Sequence, residues 1–299
     1  MKGSYLNDGF FSRLETMTLN LNTSLSGYFG GKHLVNTYGQ TVEFADFREY
    51  QLGDDIRRID WNLFSRFEKY FLKLFTDERQ MQVQIFLDCS ASMGKDNVQK
   101  GAYAVATAAA LGFLAVHNMD KLSFQIMQGS KAENPFGNIV GKTAFFRAVG
   151  ELENIQFGGE VDIDACVTGC PDTGTSNGLT VIISDFLTDD NWKKAVNYLC
   201  YKRRQVMLVQ ILSPDEVDPS YDGRVNLIDS ESVDMSDPKN MKIRITRSMQ
   251  KAYFEALAAF REDIGNYCKK RNVDYISVSS DKPIEKVLFG ELLQAGIMS

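Results

Sequence analysis

Asp88-Cys89-Ser90-Ala91-Ser92 is the stretch of this 299-residue chain whose residue types could do the most specific chemistry. An acid followed by hydroxyls at alternate positions offers three oxygen donors on one tight turn. Hard divalent cations take oxygen donors in a near-octahedral shell and keep some of their water. The preceding run, Met81–Asp88 (MQVQIFLD), reads as a short β-strand that ends in the acid. A DxSxS alone is short, and a strand end whose acid and hydroxyls cap the next helix would use the same residues. The second candidate is Ser184-Asp185, which closes the apolar run Gly178–Asp185 (GLTVIISD). On its own it reads as an ordinary strand-terminal acid. With both acids on one sheet edge, a divalent ion would offset the repulsion between them, and the pair favours the metal reading.

The elements that must position these residues alternate strand and helix. After Met81–Asp88 come an Ala-rich helix over Asn97–Asn118, a strand over Lys121–Met127 and a helix over Gly141–Leu152. Gly178–Asp185 is apolar throughout, as a strand buried on both faces of a parallel sheet must be. A helix over Asp190–Tyr201 follows, with Asp189 or Asp190 available to cap it, then a strand over Gln205–Leu212 that Ser213-Pro214 ends. Val225–Asp229 and Met241–Thr246 suggest a small β excursion. Ser248–Arg271 reads as a long helix, Asp274–Ser279 as a last strand, and Pro283–Ala295 as a last helix with Pro in its first turn. This rhythm implies βαβ units with right-handed crossovers, whose ligands bind at the carboxyl ends of the strands. Upstream, residues 1–25 suggest a short helix and an extended piece, and the glycines of 27–42 a loop or hairpin. Residues 43–79 are dense in charge and aromatics.

Composition excludes several classes. The net charge of −6 and pI near 5.2 give no basic footprint for general nucleic-acid binding. Ala102–Val116 is the longest apolar stretch and is too short to cross a bilayer, which takes about 20 residues. The N-terminal residues lack the basic-then-apolar layout of a signal peptide. Five scattered cysteines fit reduced thiols in a cytoplasm. Cys166-x-x-x-Cys170 lacks the second pair that a zinc site needs. Gly27–Gly31 lacks the Lys-Ser/Thr of a phosphate loop.

Taken together, Asp88, Ser90 and Ser92 resemble the DxSxS of the von Willebrand A metal-ion-dependent adhesion site, and Asp185 matches that family's later metal-site acid. The upstream stretch narrows the resemblance. Gly53-Asp54-Asp55-Ile56-Arg57-Arg58-Ile59-Asp60-Trp61 is similar to the GDD-x-R-x-IDW block of a bacterial von Willebrand A-like family known only as domain of unknown function fifty-eight. Glu43-Phe44, Arg48-Glu49-Tyr50, Arg66, Glu78-Arg79 and the LDCSASM stretch match as well. The resemblance spans about residues 30–215 well and the tail loosely.

It implies an α/β fold: a von Willebrand A-like, Rossmann-like, mostly parallel sheet with helices on both faces, preceded by an N-terminal helix and β-hairpin extension. Residues 1–79 would be that family-specific extension packed on the core. Residues 80–299 would be the von Willebrand A-like domain, with the β insertion near 220–247. The site would hold Mg²⁺, or Mn²⁺ or Ca²⁺, through Asp88, Ser90 and Ser92, with Asp185 direct or through water. A partner's carboxylate could complete the shell, so binding would depend on metal without turnover. Members resemble partners of MoxR-type AAA+ ATPases in cytoplasmic assembly or chaperone-like tasks, and a membrane-protein partner is open. The sequence departs from the adhesion site where a Thr usually stands. Gly158-Gly159-Glu160-Val161-Asp162 occupies that place, and Glu160 or Asp162 could supply an oxygen instead.

Arg57, Arg58 and Trp61 offer a docking surface, with Trp61 as anchor. An internal ion-pair network over Arg48–Arg79 is the slightly favoured alternative, since mixed charges at close spacing satisfy each other. Two other functions stay open. A metal-dependent phosphatase or phosphotransferase could place its acid after the first strand, although Ser90 stands where a haloacid dehalogenase-like enzyme would have a second Asp. A scaffold without metal could work through the leading segment alone.

Overall fold

A computed structural model describes residues 6, 8–21, 42–51, 56–77, 81–94, 98–171, 173, 178–188, 191–219, 223–227, 241–284 and 287. The chain divides into two compact units, one of Met1–Leu25 with Met81–Ser299 and the other of Ser26–Gln80. The expected loop over 27–42 falls almost wholly outside the described residues, as does most of the helix expected over Pro283–Ala295.

The smaller unit is an antiparallel hairpin of β1 (Val42–Glu49) and β2 (Phe71–Asp77) with α2 (Trp61–Phe67) between them. Asp60 starts that helix: its Oδ1 accepts from the Asn62 and Leu63 amides at 2.8 and 3.3 Å, satisfying donors that have no partner inside the helix. The helix expected within residues 1–25 is α1 (Asp8–Leu21), which groups with the larger unit, and the hairpin found here pairs 42–49 with 71–77 rather than lying within 27–42. Arg57 and Trp61 are exposed, and the Arg58 side chain lies outside the described residues.

The larger unit carries a six-stranded sheet of β3 (Gln82–Asp88), β4 (Lys121–Gln128), β5 (Lys131–Glu133), β6 (Gly178–Ser184), β7 (Gln205–Leu212) and β10 (Asp274–Ser279). Their order is β10-β7-β6-β3-β4-β5, all parallel except the edge strand β5. Numbered within the sheet this is 3-2-1-4-5-6, the Rossmann order, whose direction reverses between β3 and β6. In sheets of this order ligands bind beyond the carboxyl ends of the strands at that switch point. This is the mostly parallel α/β sheet that the sequence leads one to expect.

Register sorts the two faces. Val83, Ile85 and Leu87 pair with Leu122, Phe124 and Ile126, and α4 (Val98–His117) covers this face. Its Gly112 lies against the Leu122, Phe124 and Phe145 side chains, so a β-carbon there would be crowded by Leu122 and Phe124. α5 (Lys142–Leu152) packs beside it, and α1 (Asp8–Leu21) joins them by placing the Phe11 ring 5.8 Å from Phe145 and 5.6 Å from Phe113. Phe86, Met127 and Ile182 point to the other face. There they bury against α6 (Ile163–Thr168), α7 (Trp192–Tyr201) and α9 (Arg247–Lys269). The small excursion is the hairpin β8 (Gly223–Leu227) and β9 (Met241–Ile245).

Three expectations need correction or completion. The N-cap of α7 is Asn191, which makes no side-chain cap bond, while Asp189 and Asp190 lie outside the described residues. The strand β5 and the helix α6 are too short for a periodic pattern to reveal them. Two further short helices, α3 (Ala91–Gly94) and α8 (Pro214–Val217), follow β3 and β7.

Asp120, in the turn from α4 into β4, accepts from the Met81 amide at 2.8 Å, just before β3. Burial pushes its carboxyl up to about 6, against that hydrogen bond. The native chain then holds this proton more tightly than the unfolded chain, so stability falls as pH rises from about 4 towards about 6. Asp120→Asn keeps an acceptor for Met81 and removes the titration. Urea midpoints between about pH 4 and pH 7 are expected to decline less in the variant, and an equal decline would contradict the assignment.

Candidate metal centre at the sheet switch point

Asp88 ends β3 and Asp185 directly follows β6, so the two acids that the sequence singles out leave neighbouring parallel strands at the reversal of strand order. Both are buried. Asp88 Oδ2 accepts from Ser184 Oγ at 2.6 Å, and its Oδ1 accepts from the Ser90 amide at 2.9 Å. The Ser90 and Ser92 hydroxyls lie 3.1 Å apart. Asp185 Oδ1 accepts from the Leu187 amide at 3.0 Å. Ser184 Oγ also accepts from the Phe186 amide at 3.0 Å, which locks the turn after β6 to the turn after β3. Phe186 sits at φ 55°, a left-handed conformation that a bulky residue adopts only when its surroundings force it. Its ring is fully buried against Trp192, 5.9 Å away.

Electrostatics follow from this crowding. Burial, and then the charge of Asp185, push the Asp88 carboxyl up to about 6, against the hydrogen bonds from Ser184 and Ser90. The Cys89 thiol is also pushed up by burial and by Asp88, which disfavours a thiolate nucleophile in the middle of the motif.

Lys100 is a residue of this site that sequence reasoning missed. It comes from the first turn of α4, its side chain is 0% exposed, and its Nζ lies 2.8 Å from Asp185 Oδ2 and 2.8 Å from Glu216 Oε1. Burial acts to lower its pKa, but Asp185 and Glu216 outweigh burial and hold it above the ordinary lysine value. Glu216 closes a capping box on α8: its Oε2 accepts from the Ser213 amide at 2.6 Å, and Ser213 Oγ accepts from the Glu216 amide at 3.3 Å. The Ser213-Pro214-Asp215-Glu216 string carries the capping-box spacing with Pro at the first helical position, a signal that could have found Glu216.

The loop at 158–162 meets the motif through its backbone. The Gly158 amide donates to Cys89 O at 2.8 Å, and Gly159 O accepts from the Ala91 amide at 2.9 Å. Gly159 has φ 73°, a conformation costly for any residue with a β-carbon. The Glu160 side chain is exposed, and its carbonyl accepts from the Gly129 amide at 3.1 Å. Asp162 Oδ1 caps α6 through the Ala165 amide at 3.1 Å and accepts from Asn191 Nδ2 at 3.2 Å. The structure therefore gathers Asp88, Ser90, Ser92, Ser184 and Asp185, with Lys100 and Glu216 behind them. The hydrogen bonds of Glu160 and Asp162 go to Gly129, Ala165 and Asn191 instead.

The donor set fits a hard divalent cation in part. Asp88, Ser90 and Ser92 offer clustered oxygens on one turn. Asp185 Oδ2 is engaged by Lys100, and among the described residues no three His, Cys, Asp or Glu side chains group as a metal cluster. A cation here would rest on one carboxylate and two hydroxyls, with Asp185 as the neighbouring charge.

The family model described as "Protein of unknown function DUF58" matches residues 46–262. Uncharacterized protein Rv1480 of Mycobacterium tuberculosis (strain ATCC 25618 / H37Rv) is 26% identical over 277 residues, covering 90% of this chain and 84% of its own length. Uncharacterized protein Mb1516 of Mycobacterium bovis (strain ATCC BAA-935 / AF2122/97) gives the same figures. Among solved structures, a von Willebrand factor type A protein from Catenulispora acidiphila aligns with TM-score 0.35 and 14% identity, over 46% of this chain and 34% of that one. Manganese-loaded TRAP protein of Plasmodium vivax aligns with TM-score 0.33 and 12% identity, over 44% of this chain and 57% of that one.

Proposed function

This chain belongs to the family Protein of unknown function DUF58, and from that premise we propose that it is a non-enzymatic protein-interaction module whose recognition site is a divalent-cation centre at the β3–β6 switch point. The observation that carries this reading is the hydrogen-bonded junction of Asp88, Ser90, Ser92 and Ser184, with Asp185 on the adjoining strand end. Asp88 and the two hydroxyls would hold the ion, and Asp185 would contribute through water. The ion would offer an open position to an acidic side chain of a partner. Mg²⁺ suits these ligands, and Mn²⁺ or Ca²⁺ could replace it.

The buried carboxylates support the assignment, because a cation would offset both the burial and the Asp185 charge that raise Asp88. The family resemblance points to a MoxR-type AAA+ ATPase as partner, in an assembly or chaperone-like task. Trp61 and Arg57, both exposed on the hairpin unit, together with Arg58, form the proposed second contact. Five free thiols favour work in a reducing, cytoplasmic setting. Among the described residues no helix is long and apolar enough to cross a membrane.

Calorimetric titration with Mn²⁺ tests the centre. The full chain is expected to bind one ion, and Ser90→Ala/Ser92→Ala to bind it at least about tenfold more weakly, as for loss of supporting ligand groups. Equal binding by both would remove these hydroxyls from the site. The complex with a MoxR-type ATPase is expected to dissociate in EDTA, whereas a metal-free scaffold would hold its partner equally well with the chelator present.

A further inference from the structure

The charge that answers Asp185 is supplied by the chain itself. Lys100 reaches from α4 to the switch point with its side chain wholly buried, and its ammonium bridges Asp185 Oδ2 and Glu216 Oε1 at 2.8 Å each. The two carboxylates differ. Asp185 is 1% exposed and directly follows β6 beside the proposed ion site, whereas the Glu216 side chain is 27% exposed and sits on α8, after β7. The Glu216 backbone carbonyl further accepts from Tyr253 of α9 at 2.6 Å.

We propose that Lys100 is a resident competitor of the divalent cation, holding Asp185 when the ion is absent and resting on Glu216 when the ion draws on Asp185. The inference deepens the cation reading above and rests on it. A fixed ammonium beside the second carboxylate weakens a divalent ion twice over, by repelling it and by occupying an oxygen it could use through water. A buried lysine can release one carboxylate only if another remains, since an unpaired buried charge is strongly unfavourable. Glu216 is that second partner, and its hold on the Ser213 amide keeps it in place. Coupling of this kind is reciprocal, so the ion, through Lys100 and Glu216, biases the contact between α8 and Tyr253.

The test titrates Mn²⁺ into the full chain, Lys100→Met and Glu216→Gln. Lys100→Met removes the charge and keeps the length, and is expected to bind Mn²⁺ about tenfold more tightly or better. Glu216→Gln leaves the ammonium to Asp185 alone and is expected to bind about tenfold more weakly. Lys100→Met without metal is also expected to melt below the wild type and to gain more from Mn²⁺. Wild-type affinity in both variants would overturn the proposal, reducing Lys100 to a structural ion pair while leaving the cation reading intact. Absence of Mn²⁺ binding in both the wild type and Lys100→Met would overturn the cation reading and this inference with it. If Lys100→Met does not fold, Glu216→Gln decides alone: weaker binding supports the competitor role and unchanged binding overturns it.

Discussion

Asp88→Asn is expected to cost the chain its divalent-cation affinity by at least about a hundredfold, beyond the range seen when only an outer supporting group is lost. The substitution is nearly isosteric. The amide oxygen can still accept from the Ser90 backbone, and the amide nitrogen can donate to Ser184 Oγ, so the local hydrogen bonds survive in altered sense. What disappears is the negative charge that would hold the ion. The same change is expected to act oppositely on the metal-free fold. Burial and Asp185 raise the Asp88 carboxyl to about 6, so the wild type pays for an ionised Asp88 above that pH. The native state binds this proton more tightly than the unfolded state, and stability falls as pH rises from about 4 to about 6. Ionising a carboxyl held up to about 6 carries a penalty on the order of 2–3 kcal/mol at neutral pH, which the variant escapes. The signature is therefore a metal-free variant that melts above the wild type near pH 7.5 and a Mn²⁺-dependent gain that only the wild type shows. A variant that melts lower in both conditions would assign Asp88 to structure rather than to a cation.

This opposition explains why part of the site was legible in the sequence and part was not. Strand β6 shows as an apolar run because both faces of a central parallel strand are buried, β3 shows as a short β-rich run, and the acid that closes each stands out. Strand order then places Asp88 beside Asp185 without any local signal linking residues so far apart. Lys100 had no such mark. A single lysine at the start of an Ala-rich helix reads as a solvated end, and its partners Asp185 and Glu216 lie 85 and 116 residues away. Spacing says less at 158–162. The acids there suggest ligands, yet the loop reaches the motif through the amide of Gly158 and the carbonyl of Gly159, groups that every residue carries. Asp162 was legible in another sense, since an acid ahead of Ile163, Cys166 and Val167 has the form of a capped helix start, and it caps α6. Arg204 follows the Lys100 pattern. Its guanidinium serves Thr180 Oγ1 and the carbonyls of Gln82 and Leu179 at 2.9–3.0 Å, and Gly178 has no β-carbon because Arg204 and the Gln82 carbonyl take that space.

Trp192→Ala is expected to destabilise the larger unit by about 3–5 kcal/mol, a large share of the 5–15 kcal/mol that holds a typical domain folded. Trp192 is fully buried where α7, α9 and the turn after β6 converge, with its ring 5.1 Å from Tyr267 and 5.9 Å from Phe186. Truncation leaves a cavity bounded by side chains already fixed elsewhere, including Tyr267, whose hydroxyl donates to Lys193 O at 2.9 Å. Such a site collapses poorly, which places the loss in the upper part of the range for core truncations. Trp192→Phe separates packing from hydrogen bonding. Among the described residues the Trp192 Nε1 finds no partner, so replacing indole with phenyl forfeits volume but no hydrogen bond, and it relieves an unsatisfied buried donor. Its loss is expected to stay below about 2 kcal/mol. The two variants also read the site at a distance. Phe186 keeps φ 55° one residue after Asp185 because its ring is held against Trp192, so emptying that contact lets the strained turn relax and moves Asp185 away from β3. Mn²⁺ affinity of the folded Trp192→Ala protein is then expected to fall, while that of Trp192→Phe stays near wild type. Unfolding in urea gives the first quantity and calorimetry below the transition gives the second. Wild-type Mn²⁺ binding by Trp192→Ala would mean that the hydrogen bonds from Ser184 and Leu187 fix the turn without help from the core.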